Sequence, residues 1–448
     1  MKKFKKVALA ATVTAMLGGF ASTANAVNWL LLQGTEKQGT APRAKVWGFM
    51  QPSYQKDFSD TGLTGPEPTR IGPNLEKQNQ FQLQRARIGV RGQAFPLDNN
   101  VNYFFLAEFG QNAITDGGAF GEKQAVKLTD ASATFNHIPG ARVRVGLFKT
   151  PGPEAVYQGI FTFDYINFTD VSNQLMLERF TKGVVNGSGG APFTAAESGW
   201  GSFGAARDIG VQVFDSFIVD GWDHSYSIMT GNGNGLSTGG AAEGEELYLY
   251  WSSEKLLPGG VGPWSHGMKF FAWSHSGKRN LDMTDDGVAN KVVYDRTRSG
   301  LGVKYRHTNY RVVAEYMQGK GMIFQGPEKP NFGIGAPPAL QDLNGEANGY
   351  YLDLGYYIPN TNWELDLRYD VYNRSVNHDY LTAEFNTMTY GVQYHFNRKT
   401  RFTLNYQVRS AKATDPLGAG GLATPTTALR NGLASIGNRL ALQATIVF

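Results

Sequence analysis

From residue 80 to residue 110 the chain alternates polar and apolar positions with a period of two. Arg85, Arg87 and Arg91 fall on one parity, and Ala86, Ile88, Val90 and Ala94 fall on the other. Successive side chains of a strand point to opposite faces, so the pattern predicts a strand with one cationic and one apolar face. Asp98-Asn99-Asn100 supplies a turn. The returning strand sets Val101, Tyr103, Phe105, Ala107 and Phe109 against Asn102 and Glu108.

The same period recurs along nearly the whole chain. Sixteen segments carry it, beginning at 43–55 and ending at 436–448. Short turns such as Pro359-Asn360 and Asn397-Arg398 alternate with long Gly- and Pro-rich connections such as 321–345 and 413–432. In one late segment Trp363, Leu365, Leu367, Tyr369 and Val371 share a face, and Glu364, Asp366, Arg368 and Asp370 share the other. A charge facing lipid at mid-membrane costs about 2–4 kcal/mol for Arg or Lys. If the apolar faces meet lipid, the charged faces therefore need a wet interior. The expected fold is all-β: a transmembrane antiparallel β-barrel of about 16 strands, wide enough to hold water. In that frame Ile88, Val90, Tyr103 and Phe105 face lipid while Arg85, Arg87 and Arg91 face the lumen.

Two stretches interrupt the rhythm. Residues 151–203 form a connection too long for an ordinary loop, with Phe161, Phe163, Tyr165 and Phe168 in its first half. Aromatic content of that kind argues for packing rather than disorder. The expectation is a loop folded into the pore. The other interruption is local: Phe81 and Leu83 share the parity of the arginines. Either a β-bulge resets the register there, or both residues lie beyond the membrane against the in-folded loop.

Composition agrees with many short amphipathic strands. The chain has 448 residues, 55 of them Gly, and is 13% aromatic. Its mean hydropathy of -0.32 is too polar for a bundle of membrane helices. Lys2, Lys3, Lys5 and Lys6, an uncharged run over 7–20 and Ala24-Asn25-Ala26 predict an export signal over residues 1–26. The domain reading is that signal followed by a single barrel over 27–448, with the apolar run at Trp29–Leu32 as a short periplasmic lead-in. The four lysines of the signal equal the formal net charge of +4, so the remainder is neutral and gives no case for nucleic-acid binding. Without cysteine, the exported chain has neither disulfides nor thiolate metal sites. No hydrolase or metalloprotease motif occurs, so the reading is a non-enzyme with no cofactor and no metal.

Candidate chemistry lies on the cationic faces. The segment Gln84-Arg85-Ala86-Arg87-Ile88-Gly89-Val90-Arg91-Gly92 resembles an early signature of the phosphate-selective porin O/P family. Val143-Arg144-Val145-Gly146-Leu147-Phe148-Lys149-Thr150-Pro151 is similar to that family's passage into its constriction loop. Leu177-Glu178-Arg179 and Ala206-Arg207-Asp208-Ile209-Gly210 resemble the later loop and the next strand, and the C-terminal Phe448 resembles the ending of outer-membrane barrels. The resemblance implies a sixteen-stranded, homotrimeric porin in the Gram-negative outer membrane, in contact with lipid and passing small anions such as phosphate. It assigns Arg85 and Arg87 to a basic ladder, Lys149 and Arg179 to the constriction, and Asp130 to orienting a basic neighbour. Arg91, Arg142 and Arg144 join the ladder by parity. Arg298, Lys304 and Arg306 share a parity and form a second candidate ladder.

Arginine suits this work because its planar fork of donors matches phosphate oxygens. Successive donors along a pore pass an anion on without trapping it. Departures from the pattern keep other readings open. Gln84 stands where the family often has another arginine, and Glu108, Asp353, Glu364 and Asp366 oppose the basic wall. Arg85 and Arg87 would then pair with acids across the barrel. The alternatives are a general or organic-solute porin and a plugged barrel serving as an adhesin or structural protein.

Overall fold

A computed structural model describes residues 28–35, 43–60, 75, 78–94, 98–112, 114–115, 124–177, 206–233, 235–236, 245–260, 264–282, 291–324, 341–342, 344–377, 382–413, 433–434 and 436–448. The segment 1–26 and Arg179 lie outside the described residues.

The chain begins with strands β1 (Lys45–Asp57), β2 (Asn79–Ala94), β3 (Asp98–Glu108), β4 (Lys127–Phe135) and β5 (Arg142–Lys149). After a long connection come β6 (Arg207–Val219), β7 (Trp222–Gly231), β8 (Glu246–Leu256), β9 (Gly267–Asp282), β10 (Lys291–His307) and β11 (Tyr310–Lys320). Two short strands, β12 (Ile323–Phe324) and β13 (Gln341–Asp342), pair with each other inside the connection expected to be loop. The series ends with β14 (Glu346–Tyr357), β15 (Trp363–Arg374), β16 (Ala383–Asn397), β17 (Thr400–Ala413) and β18 (Arg439–Val447).

Sixteen of these strands form one closed antiparallel barrel, each hydrogen-bonded to its neighbours in chain order. The ring closes where β1 meets β18. There the Phe448 and Gly48 backbones exchange hydrogen bonds of 2.9 and 3.1 Å. The Phe448 ring occupies the space that a Cβ at position 48 would need, so glycine permits the closure. Closure leaves no unpaired edge, which a sheet surrounded by hydrocarbon cannot tolerate.

Tight turns at Asp220-Gly221, Thr308-Asn309 and Arg398-Lys399 lie at one end of the barrel, together with both ends of the strand series. The long connections gather at the other end. Alternation holds on nearly every strand. In β15, Glu364, Asp366, Arg368 and Asp370 are buried, whereas Trp363, Leu365, Leu367 and Tyr369 are exposed. Exposed rings cluster near the tight-turn end: Tyr310 on Tyr356 at 5.3 Å, Trp363 on Tyr394 at 4.8 Å and Phe396 on Phe402 at 5.4 Å.

The register problem in β2 is resolved by a bulge. Arg85 pairs with Gln51, but the next pair joins Leu83 to Pro52, leaving Gln84 as the extra residue. Gln84 and Arg85 are consequently both buried, and the strand changes parity between them. Phe81 is turned outward, 85% exposed, with its ring 4.7 Å from that of Tyr54.

Candidate functional site

The connection after β5 is organised by its aromatic first half. Pro153 ends an extended entry, and a helical turn at Glu154–Tyr157 follows. Further turns occur at Ile160–Thr162 and Ser172–Met176. Tyr157, Phe163, Tyr165, Ile166, Val171 and Leu175 are all buried. Their burial is possible because polar side chains of many strands take up the backbone of the segment. Gln51 of β1 donates to the Ile160 carbonyl at 3.5 Å, and Asn405 of β17 accepts from the Ile166 amide at 2.8 Å. Arg401 of β17 donates to Phe163 O at 2.5 Å, and Arg368 of β15 to Asn167 O at 3.0 Å. Arg298 of β10 donates to Leu175 O at 3.2 Å. A single segment can meet strands from both sides of the ring only from within, so these polar faces are the inward ones.

Charge reinforces this attachment. Glu154 Oε2 lies 2.7 Å from Lys269 Nζ, and its Oε1 lies 2.8 Å from Lys304 Nζ. Burial pushes the Glu154 carboxyl up, but the two ammonium groups outweigh that effect and bring it down to about 2. Further along, Asp164 sits between Arg306 at 3.8 Å and Arg311 at 3.2 Å. Arg311 also pairs with Glu364 at 3.3 Å and Asp366 at 2.5 Å. The Arg368 guanidinium lies 4.2 Å from the centre of the Tyr165 ring.

The expected ladder residues divide by what lies against them. Arg85 is buried, donating to Gln51 at 3.0 Å and to the Ile166 carbonyl at 3.5 Å. Arg87 forms a 2.7 Å ion pair with Glu108, its direct partner on the adjacent strand β3 and not an acid across the barrel. Arg91 donates to Thr35 O at 2.8 Å. Arg142 remains partly exposed, 3.6 Å from Asp215. Arg144 is fully buried: it donates to Thr134 at 3.2 Å, Gln212 at 3.0 Å and the carbonyls of Leu30 and Gln33. Lys149 donates to the carbonyls of Val156, Tyr157 and Gln158 at 3.1, 3.2 and 2.6 Å, capping the first helical turn of the segment. Asp130 accepts from Arg207 at 3.1 Å. In the second candidate ladder, Arg298 and Lys304 grip the in-folded segment directly, while Arg306 meets Asp164 and the Tyr357 hydroxyl.

Two features were not anticipated from sequence. Trp29–Leu32 forms a helical turn packed within the barrel, where a periplasmic lead-in was expected. Trp29 and Leu30 bury against Tyr157 and Phe214, and that apolar match draws the run into the barrel. The four consecutive apolar residues were the available signal. Arg207 and Arg401 were the other omission, since they lie on β6 and β17 and only the folded chain brings both to one cavity with Arg87.

Together these elements enclose a cavity of about 880 Å³ opening toward the tight-turn end. Its floor is Gly159–Phe161 of the in-folded segment, and Trp47, Phe49 and Phe104 line its wall. Arg87, Arg91, Lys149, Arg207 and Arg401 also line it, with Lys45, Arg398 and Lys399 nearer the turns. Among the described residues that line it, Asp130 is the one acid.

No family model matches the chain, and a search of curated proteins finds no match. Solved structures do resemble it. An anion-selective porin from Comamonas acidovorans is 12% identical, with a TM-score of 0.50, over 90% of this chain and 99% of the porin. The outer membrane channel DcaP of Acinetobacter baumannii is 11% identical, with a TM-score of 0.50, over 93% and 100% of the two chains. OmpF of Salmonella typhi is 12% identical, with a TM-score of 0.53, over 90% and 97%. At such identities the likeness is one of architecture: this chain has the closed barrel fold of outer-membrane porins.

Proposed function

We propose that the protein is an outer-membrane diffusion channel for small anions, phosphate or polyphosphate among them. The observation that carries this reading is the cavity floored by the in-folded segment, whose charged lining is overwhelmingly basic. Such a lining concentrates anions and lowers their entry barrier. Arg91, partly exposed beside the cavity, carries the guanidinium fork that oxyanions fit. The segment acts as the constriction, and the lumen beside it carries hydrated solutes without chemistry. Exposed aromatic side chains near the tight-turn end suit a membrane interface. Export through the signal at 1–26, residence in the Gram-negative outer membrane and assembly as a homotrimer complete the reading. They rest on the sequence and on its resemblance to phosphate-selective porins. Arg179 belongs to the same proposal as a constriction residue.

Reversal potentials in planar bilayers under a KCl gradient test anion preference, and chloride preference is expected. A cation-selective result overturns the anion reading. Micromolar phosphate is expected to reduce the chloride current. If it does not, phosphate selectivity fails and a general porin remains. That second reading has its own support, because the inner wall around Arg311 carries the acids Glu364 and Asp366 as well as the base.

A further inference from the structure

We infer that the cavity at the tight-turn end is a binding site for aromatic carboxylates, solutes with a planar apolar body and one anionic head. The inference rests on the anion-channel reading and names a solute class for its vestibule.

Charge alone does not account for this cavity. Its volume of about 880 Å³ falls in the range of pockets that enclose whole organic ligands, roughly 300–1,000 Å³. A bare inorganic anion gains nothing from apolar walls and loses hydration against them. Yet one side of the cavity is aromatic, with the partly buried Trp47 and Phe161 backed by the buried Phe49 and Phe104. Trp47 lies 5.9 Å from Phe104 and 6.0 Å from Phe161, and Phe49 lies 5.6 Å from Phe161, measured between ring centres. These separations are those of offset or edge-to-face ring contacts, so a further ring can extend the cluster in the same geometry.

The cations border this surface. The Arg87 guanidinium lies 5.8 Å from the centre of the Phe49 ring, and that of Arg91 lies 5.6 Å from the centre of Phe104. A ring placed on the aromatic surface therefore brings an attached carboxylate toward Arg91 and its neighbours. A carboxylate without a ring uses only the cations, and a ring bearing an ammonium meets repulsion. Phe161 comes from the in-folded segment while Trp47 and Phe49 come from β1, so wall and floor both contribute rings.

The test uses the full chain in planar bilayers at neutral pH, with benzoate, acetate and benzylammonium added at equal ionic strength. Benzoate is expected to reduce the chloride current at about one tenth of the acetate concentration. Benzylammonium is expected to be no more effective than acetate. Phe161→Ala and Trp47→Leu should each bring the ratio of blocking concentrations toward one, a ratio that does not depend on how much channel inserts. Equal block by benzoate and acetate in an anion-selective channel overturns the inference and leaves the channel reading standing. Benzylammonium acting as strongly as benzoate, or full benzoate preference in both variants, also overturns it. A cation-selective reversal potential instead overturns the reading beneath it.

Discussion

Two stretches of the inner wall use the same residue types for opposite purposes. On β9, β10, β11 and β15, Lys269, Lys304, Arg298, Arg311 and Arg368 hold the in-folded segment through Glu154, Asp164 and backbone carbonyls. On β2, Arg87 and Arg91 line the open cavity, bonded to Glu108 and to Thr35 O. The difference lies in what covers them. A buried cation must find a partner, and on the first wall the segment supplies it. On the second wall the neighbouring strand's Glu108 and the Thr35 carbonyl supply it, and the cavity lies alongside. A basic face inside a barrel can therefore serve as a ladder only where its partners leave it bordering a cavity.

Removing the central counter-charge should disturb this arrangement most. Glu154→Gln leaves Lys269 and Lys304 facing each other's charge without the carboxylate, and breaking a buried pair costs about 3–5 kcal/mol. The segment should then detach, raising single-channel conductance and exposing residues 150–177 to protease. Unchanged conductance with full protection would refute the clamp.

The same carboxylate gives a pH dependence. Its value of about 2 lies below the ordinary 4.5, so its contribution is fully present above about 4.5 and is lost as pH falls toward 2. Conductance should be level from pH 7 to pH 5 and should rise only in stronger acid. A rise already complete at pH 5 would contradict the assignment.

A smaller effect separates the two walls directly. Arg91→Glu should lower the chloride-to-potassium permeability ratio, because it reverses a charge bordering the cavity. Arg298→Gln removes hydrogen bonds to Leu175 O and Met322 O, about 1–3 kcal/mol of local stability, and should leave that ratio unchanged. Equal shifts in reversal potential for both variants would erase the distinction. The least effect belongs to the outer face. Phe81→Ala loses the contact with Tyr54, within about 1 kcal/mol, and should lower the melting temperature slightly with no change in conductance.

Much of the architecture was legible because a strand declares its two faces locally. Glu364, Asp366, Arg368 and Asp370 announced an inward face, and Ile88 and Phe105 an outward one, from parity alone. The discord at Phe81 and Leu83 was legible as a problem, and the bulge at Gln84 was one of its two readings. The β12–β13 pair was not legible, since two-residue strands carry no period. The lodging of Trp29–Leu32 inside the barrel depended on Tyr157 and Phe214, residues far away in the chain.

The sequence by itself determined the alternation and the inward placement of Arg85, Arg87, Arg91 and Arg144, because each follows from the spacing of neighbours along one strand. Only the tertiary structure decided what lies against each of them. Arg144 is enclosed by the N-terminal turn and Arg85 lies under the in-folded segment, whereas Arg87 and Arg91 border the cavity. Parity tells which face a side chain takes, but burial depends on segments that arrive from elsewhere in the chain. Their approach is set by apolar contacts and ion pairs across the lumen, such as Glu154 with Lys269, which no local period encodes.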